Sequence, residues 1–121
     1  MRVLVIDDSR AMRMILRTTL AELGHVVVEA GNGREGLDVL QSRGPFDLAL
    51  VDWNMPVLNG YEFVCEVRAQ PANGCMKIVM VTTEVEMSQV ARALEAGANE
   101  YVMKPFTREI LREKLDMLVA A

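Results

Sequence analysis

The sequence predicts a doubly wound α/β domain, in which five parallel strands in the order 2-1-3-4-5 carry five helices on two faces. Three observations lead there. Short apolar runs of strand length alternate five times with stretches whose apolar residues recur at helical spacing. The links are short, and no linker, repeat or low-complexity tract divides the 121 residues, so residues 1–121 read as one domain. With right-handed crossovers, that alternation gives a parallel sheet with helices on both faces.

The elements follow in order. Arg2 to Ile6 is the first strand. Ser9 caps a helix along which Met12, Ile15, Leu16, Thr19, Leu20 and Leu23 repeat until Gly24 stops it. His25 to Ala30, rich in valine, is the second strand, and Gly31-Asn32-Gly33 turns into a short helix marked by Leu37 and Leu40. Gly44-Pro45 ends that helix. Asp47 to Val51 is the third strand, whose unbroken apolar run is that of a strand buried on both faces. It stops at Asp52, and Asn54, Pro56 and Asn59-Gly60 are loop and turn residues. Phe63, Val64 and Val67 mark the third helix, which gives way at Gln70-Pro71. Ile78 to Val81 is the fourth strand, ending in Thr82-Thr83-Glu84. The fourth helix carries Met87, Val90 and Leu94 and stops at Gly97. Tyr101 to Met103 is the fifth strand, ending at Lys104-Pro105, and Thr107 caps a last helix with Leu111, Leu115 and Leu118 on one face.

In the flavodoxin-like strand order the switch point lies between strands one and three, and ligands bind at the carboxyl ends beside it. Those ends are Asp7-Asp8 and Asp52, so the acids converge on one crevice. Carboxylates this close repel by about 4 kcal/mol per pair at an effective dielectric near 20. Such a cluster raises a pKa or recruits a cation, and hard oxygen donors without His or Cys favour Mg²⁺. Thr82 and Lys104 close the rim from strands four and five. A carboxylate nucleophile, a divalent cation, a hydroxyl and an ammonium form a phosphoryl-transfer site with Asp52 as acceptor. Taken alone, Asp7-Asp8 equally fits a helix cap. It is the placement of a reactive group at four strand ends that singles the site out.

Composition narrows the field further. The chain is 51% hydrophobic and 25% charged, with a net charge of −4 and no basic block, so nucleic acid is not an expected partner. No apolar run approaches the roughly 20 residues needed to span a bilayer, and no membrane association is expected. Cys65 and Cys75 read as thiols in a reducing, cytoplasmic compartment. His25 reads as structural or exposed, and most of the nine methionines as core filling.

Asp7-Asp8, the segment Val51-Asp52-Trp53-Asn54-Met55-Pro56, Val81-Thr82 and Lys104-Pro105-Phe106 together resemble the receiver domain of two-component response regulators. The resemblance spans essentially the whole chain, and Thr82 to Glu84 and Tyr101 are similar to the chemotaxis type within that family. It implies that Asp52 accepts a phosphoryl group from a histidine kinase. Asp8, Asp52 and the backbone carbonyl of Asn54 would hold Mg²⁺, with Asp7 acting through water or by positioning. Lys104, before a cis Pro105, would pair with the phosphoryl oxygens. Thr82 would move to the phosphate and Tyr101 would swing inward, remodelling the face of the fourth helix, fifth strand and fifth helix.

That partner face comprises Met87, Val90, Leu94, Tyr101 and Lys114, and a flagellar motor switch protein is its implied partner. Asn54 and Glu84 match residues that accompany rapid self-dephosphorylation. Thr83, where the family prefers Ala or Gly, would narrow access to Asp52. Glu86 and Met87 depart from the lysines the chemotaxis type often shows, while Lys114 is kept. The protein would act as a monomer, served by a chemotaxis-type histidine kinase and a phosphatase. It would be no enzyme beyond catalysing its own phosphorylation and dephosphorylation.

Other readings are a phosphorelay intermediate or phosphate sink, or the receiver portion of a larger regulator. A phosphatase with an aspartyl intermediate wants a second acid two residues past its nucleophile, where Asn54 stands. A flavin binder of the same fold would meet repulsion from the acids after the first strand.

Overall fold

A computed structural model describes residues 1–120, apart from the side chains of residues 84–86, 119 and 120. β1 (Arg2–Ile6) pairs with β2 (Val26–Ala30) on one side and β3 (Leu48–Asp52) on the other. β4 (Lys77–Thr82) and β5 (Glu100–Met103) extend the sheet, every pairing is parallel, and the order is β2-β1-β3-β4-β5. The helices are α1 (Arg10–Glu22), α2 (Gly33–Arg43), α3 (Gly60–Arg68), α4 (Val90–Ala96) and α5 (Arg108–Ala120). The expected fold class is the one observed.

Side chains alternate across the pleat and divide the core in two. Val3, Val5, Leu48, Leu50, Val79, Val81 and Val102 face Leu16 and Leu20 of α1 and Leu111 and Leu115 of α5. Leu4, Ile6, Ala49, Val51, Ile78 and Met80 face Leu40 of α2, Phe63, Val64 and Val67 of α3, and Ala93 of α4. Every residue of β3 is buried, which is why its sequence runs apolar without alternation.

Several boundaries differ from the expected ones, each for a local reason. His25 is not in β2, because its N–H donates to the carbonyl of Leu20 and closes α1. Gly33 opens α2 rather than ending a turn, since the Asn32 side chain caps that helix through the N–H of Glu35 at 2.8 Å. Asp52 lies inside β3, in register with Val81, rather than just beyond it. Residues 84–89 form a 3₁₀ segment, so Met87 precedes α4 instead of lying on it. No side-chain cap starts α4: Gln89 stands at the cap position without such a bond. Ser9, Asn59 and Thr107 cap α1, α3 and α5, and Asn59 forms a reciprocal capping box with Glu62.

The loop leaving the site is strained. Val57 has φ of 70°, and the N–H of Leu58 donates to the carbonyl of Pro56 at 2.7 Å, closing a γ-turn of the rare positive-φ kind. The turn sends Leu58 into the core and its carbonyl to the N–H of Gly33, which tethers the loop to α2. A Cβ on Gly33 would collide with that carbonyl, so only glycine lets the two backbones meet. Val57 itself is 77% exposed and gains little from packing. Relieving a β-branched residue of positive φ, less the entropic cost of glycine, gives an expected gain of about 1 kcal/mol for Val57→Gly. Urea unfolding followed by Trp53, the one tryptophan, measures it.

Candidate functional site

β1 and β3 are neighbours, so their carboxyl ends bring Asp7, Asp8 and Asp52 together. Carboxylate oxygens from the three lie within 4.8 Å of one another. Asp7 is 1% exposed and Asp52 is buried, whereas Asp8 faces solvent. Lys104 Nζ reaches into the cluster, 3.1 Å from Asp52 Oδ1 and 3.5 Å from Asp7 Oδ2. Its backbone N–H donates to the carbonyl of Thr82 at 2.7 Å, and its peptide to Pro105 is cis. Burial alone would lower the Lys104 pKa, but attraction to Asp52 and Asp7 outweighs it and holds the pKa above its ordinary value.

Asp7 Oδ1 accepts the N–H of Ser9 at 2.8 Å. Asp7 Oδ2 is buried without a hydrogen-bond donor, and Lys104 stands off at ion-pair distance. A buried carboxylate oxygen in that condition is costly unless a ligand completes it. Three hard oxygen donors, one of them unsatisfied, suit a hard divalent cation with few protein ligands. Asn54 lies two residues past Asp52 and is exposed.

Thr82 is fully buried at the end of β4, and its hydroxyl donates to the carbonyl of Thr83 at 3.2 Å. Thr83 is half-buried. The side chain of Glu84 lies outside the described residues, as does that of Glu86. α3 begins directly beneath Asp52, where a Cβ on Gly60 would strike the Asp52 carbonyl. Trp53 tilts against Tyr61 with ring centroids 6.3 Å apart, and Arg92 of α4 lies 4.5 Å over the Tyr61 ring. A single side chain thus separates the neighbour of Asp52 from α4.

The expected partner face is brought together only in part. Tyr101 is half-buried, with Lys114 Nζ 5.0 Å from its ring centroid and 3.4 Å from Glu100 Oε1. Leu94 is exposed and Met87 half-buried. Val90 does not belong to this surface: it is 5% exposed, because the first turn of α4 presses Val90 and Ala93 inward together.

Two arginines escaped sequence reasoning. Arg13 donates to the carbonyl of Asp7, and Arg68 to three backbone carbonyls at the opposite ends of the strands. These acceptors are backbone atoms, which no residue-type pattern marks.

This fold and acidic crevice define a receiver domain, and the chain belongs to the response regulator receiver domain family, whose model matches residues 3–116. Within it the chain is closely related to CheY proteins. It is 47% identical over 117 residues to a chemotaxis protein CheY homolog of Campylobacter jejuni, covering 96% of this chain and 90% of that one. It is 42% identical over 120 residues to chemotaxis protein CheY1 of Helicobacter pylori, covering 98% and 97%. Among solved structures, chemotaxis response regulator CheY4 of Vibrio cholerae superimposes with a TM-score of 0.89 at 37% identity, over 97% of both chains. Among the described residues, no helix is long and apolar enough to cross a membrane.

Proposed function

We propose that this chain is a phosphorylation-dependent signalling switch of chemotaxis, with Asp52 as its phosphoacceptor. The observation that carries the reading is the crevice itself: Asp52 sits between a lysine at 3.1 Å and two further carboxylates, one with an unsatisfied buried oxygen. An Asp52 oxygen attacks phosphorus of a phosphohistidine on a chemotaxis-type kinase. The P–N bond breaks, its electron pair leaves with the imidazole, and an acyl phosphate remains on Asp52.

Asp8, Asp52 and the carbonyl of Asn54 would hold Mg²⁺, with Asp7 completing or orienting the set. The ion would supply charge neutralisation for the phosphoryl oxygens. Lys104 is already held where those oxygens arrive, so little reorganisation is needed. Thr82 exchanges its bond to the Thr83 carbonyl for a charge-assisted one to the phosphoryl group, a gain of about 1 kcal/mol. Tyr101 turns inward as Thr82 withdraws. That inward turn gives up the contact with Lys114, so the α4–β5–α5 face changes shape and charge together. Kinship with the CheY homologues supports a flagellar motor switch protein as the partner of that face. Asn54, Glu84 and Thr83 would set the rate at which water removes the phosphoryl group, with or without a dedicated phosphatase.

Incubation with acetyl phosphate and Mg²⁺ should add one phosphoryl mass to the wild-type chain and none to Asp52→Asn. An unmodified wild type, or equal modification of both, sinks the reading. Capture of a motor switch protein by the phosphorylated form alone tests the partner. Phosphotransfer to a histidine phosphotransfer domain without such capture would favour a relay.

A further inference from the structure

The guanidinium of Arg13 occupies the notch between β1, the first turn of α1 and the end of β2. One Nη donates to the carbonyl of Asp7 at 2.6 Å, and Nε lies 3.4 Å from Glu29 Oε1. The other carboxylate oxygen of Glu29 holds Arg17 at 2.7 Å. Arg13 is only 20% exposed at its side chain, so this is not a loosely solvated pair. From the other side, the Asp7 N–H donates to the carbonyl of Ala30. The backbone of Asp7 is therefore pinned at both polar atoms, and its carbonyl belongs to the peptide that leads into Asp8.

That peptide determines where Asp8 points. Asp8 is exposed. Asp7 and Asp52, by contrast, are held by burial and by Lys104. The member of the triad with the least support of its own is thus the one whose backbone Arg13 fixes. A positive charge set against the Asp7 carbonyl also offsets part of the repulsion among the three carboxylates.

We propose that Arg13 is a positioning residue for the divalent cation, acting through the Asp7 carbonyl on the Asp7–Asp8 pair; this rests on the acceptor-site reading above. It touches neither metal nor phosphoryl group. Its loss weakens cation binding while leaving the reaction of the filled site intact.

A Mg²⁺ titration followed by Trp53 fluorescence tests this in the full chain, with acetyl phosphate labelling at saturating Mg²⁺ beside it. Partners that orient ligands are worth about 10-fold or more in metal affinity, so Arg13→Gln should raise the Mg²⁺ Kd about 10-fold. Its labelling rate at saturation should stay near wild type. Arg13→Lys, which can still donate to the carbonyl, should recover most of the affinity. Arg17→Gln breaks the salt bridge to Glu29 and spares the carbonyl bond, so its Kd should be that of wild type.

If Arg13 merely staples α1 to β2, Arg13→Gln and Arg17→Gln will both shift the urea midpoint and neither will change the Kd; that result overturns the proposal. So does a normal Kd in a folded Arg13→Gln. A wild-type chain that does not respond to Mg²⁺ at all overturns the metal-site reading and this proposal with it.

Discussion

Lys104→Met should cost about 3 kcal/mol of folding stability in the presence of a chelator at neutral pH, because it strands two buried carboxylates without their cation. Asp7 and Asp52 both lie against Nζ, at 3.5 Å and 3.1 Å. Saturating Mg²⁺ should restore most of the loss, since the ion would bring to the same oxygens the charge the lysine supplied. Urea unfolding of wild type and variant, with chelator and with Mg²⁺, measures both quantities. A loss that is equal with and without Mg²⁺ would mean that the lysine stabilises by packing its stem, not by neutralising the acids.

The pH dependence of that difference has a definite sign. The folded pKa of Lys104 is raised, its carboxylate neighbours outweighing desolvation. A raised pKa contributes stability that is complete below the unfolded value and is lost as pH rises through the folded one. The gap between wild type and Lys104→Met should therefore hold steady through neutral pH. It should close only above the ordinary lysine value of 10.5.

Fold and acidic crevice were legible for the same reason. A parallel strand covered on both faces has to be apolar along its length, so Leu48 to Val51 announces itself, and the first polar residue marks the carboxyl edge. In a doubly wound sheet that edge is where ligands bind, which turns Asp7, Asp52, Thr82 and Lys104 from scattered residues into one rim. The α4 region was less legible. Its start depends on the absence of a cap at Gln89, and residues 84–89 carry no periodicity that separates 3₁₀ from α. Val90 and Leu94 look equivalent in sequence at i, i+4, yet the buried stripe runs through Val90 and Ala93 and leaves Leu94 at its margin. Arg13 was invisible because its acceptor is a main-chain oxygen, which every residue type possesses.

Arg68→Ala should destabilise the fold by about 2 kcal/mol at a site away from the acidic crevice. Its guanidinium donates to the carbonyls of Gly97 at 2.9 Å, Asn73 at 2.9 Å and Met76 at 2.8 Å, and to Asn99 Oδ1 at 3.0 Å. The Gly97 and Met76 carbonyls lose the arginine's donors at about 1 kcal/mol each, whereas the Asn73 carbonyl keeps the N–H of Met76 at 3.2 Å. The Asn99 oxygen retains the N–H of Ile78 at 2.8 Å and adds little to the loss.

Lysine should not rescue. One ammonium cannot span acceptors on α3's exit loop, the start of β4 and the end of α4, which a planar fork reaches together. Gly97 is part of the same fit: its φ of 123° excludes other residues, and a Cβ there would press on the Arg68 stem. The clamp lies at the amino ends of β4 and β5, at the opposite end of the sheet from Asp52, so its energetics should add independently to those of the acidic crevice. Arg68→Ala should accordingly lose its stability in urea yet bind Mg²⁺ with wild-type affinity. The C-terminal end of α4 is the end this arginine holds, and the uncapped end follows the 3₁₀ segment of residues 84–89 that leads out of β4. A phosphorylation-driven rearrangement of α4 should therefore pivot on the clamped end. Hydrogen exchange should show protection at Gly97 and Ala98 unchanged by phosphorylation in wild type and reduced in both states in Arg68→Ala.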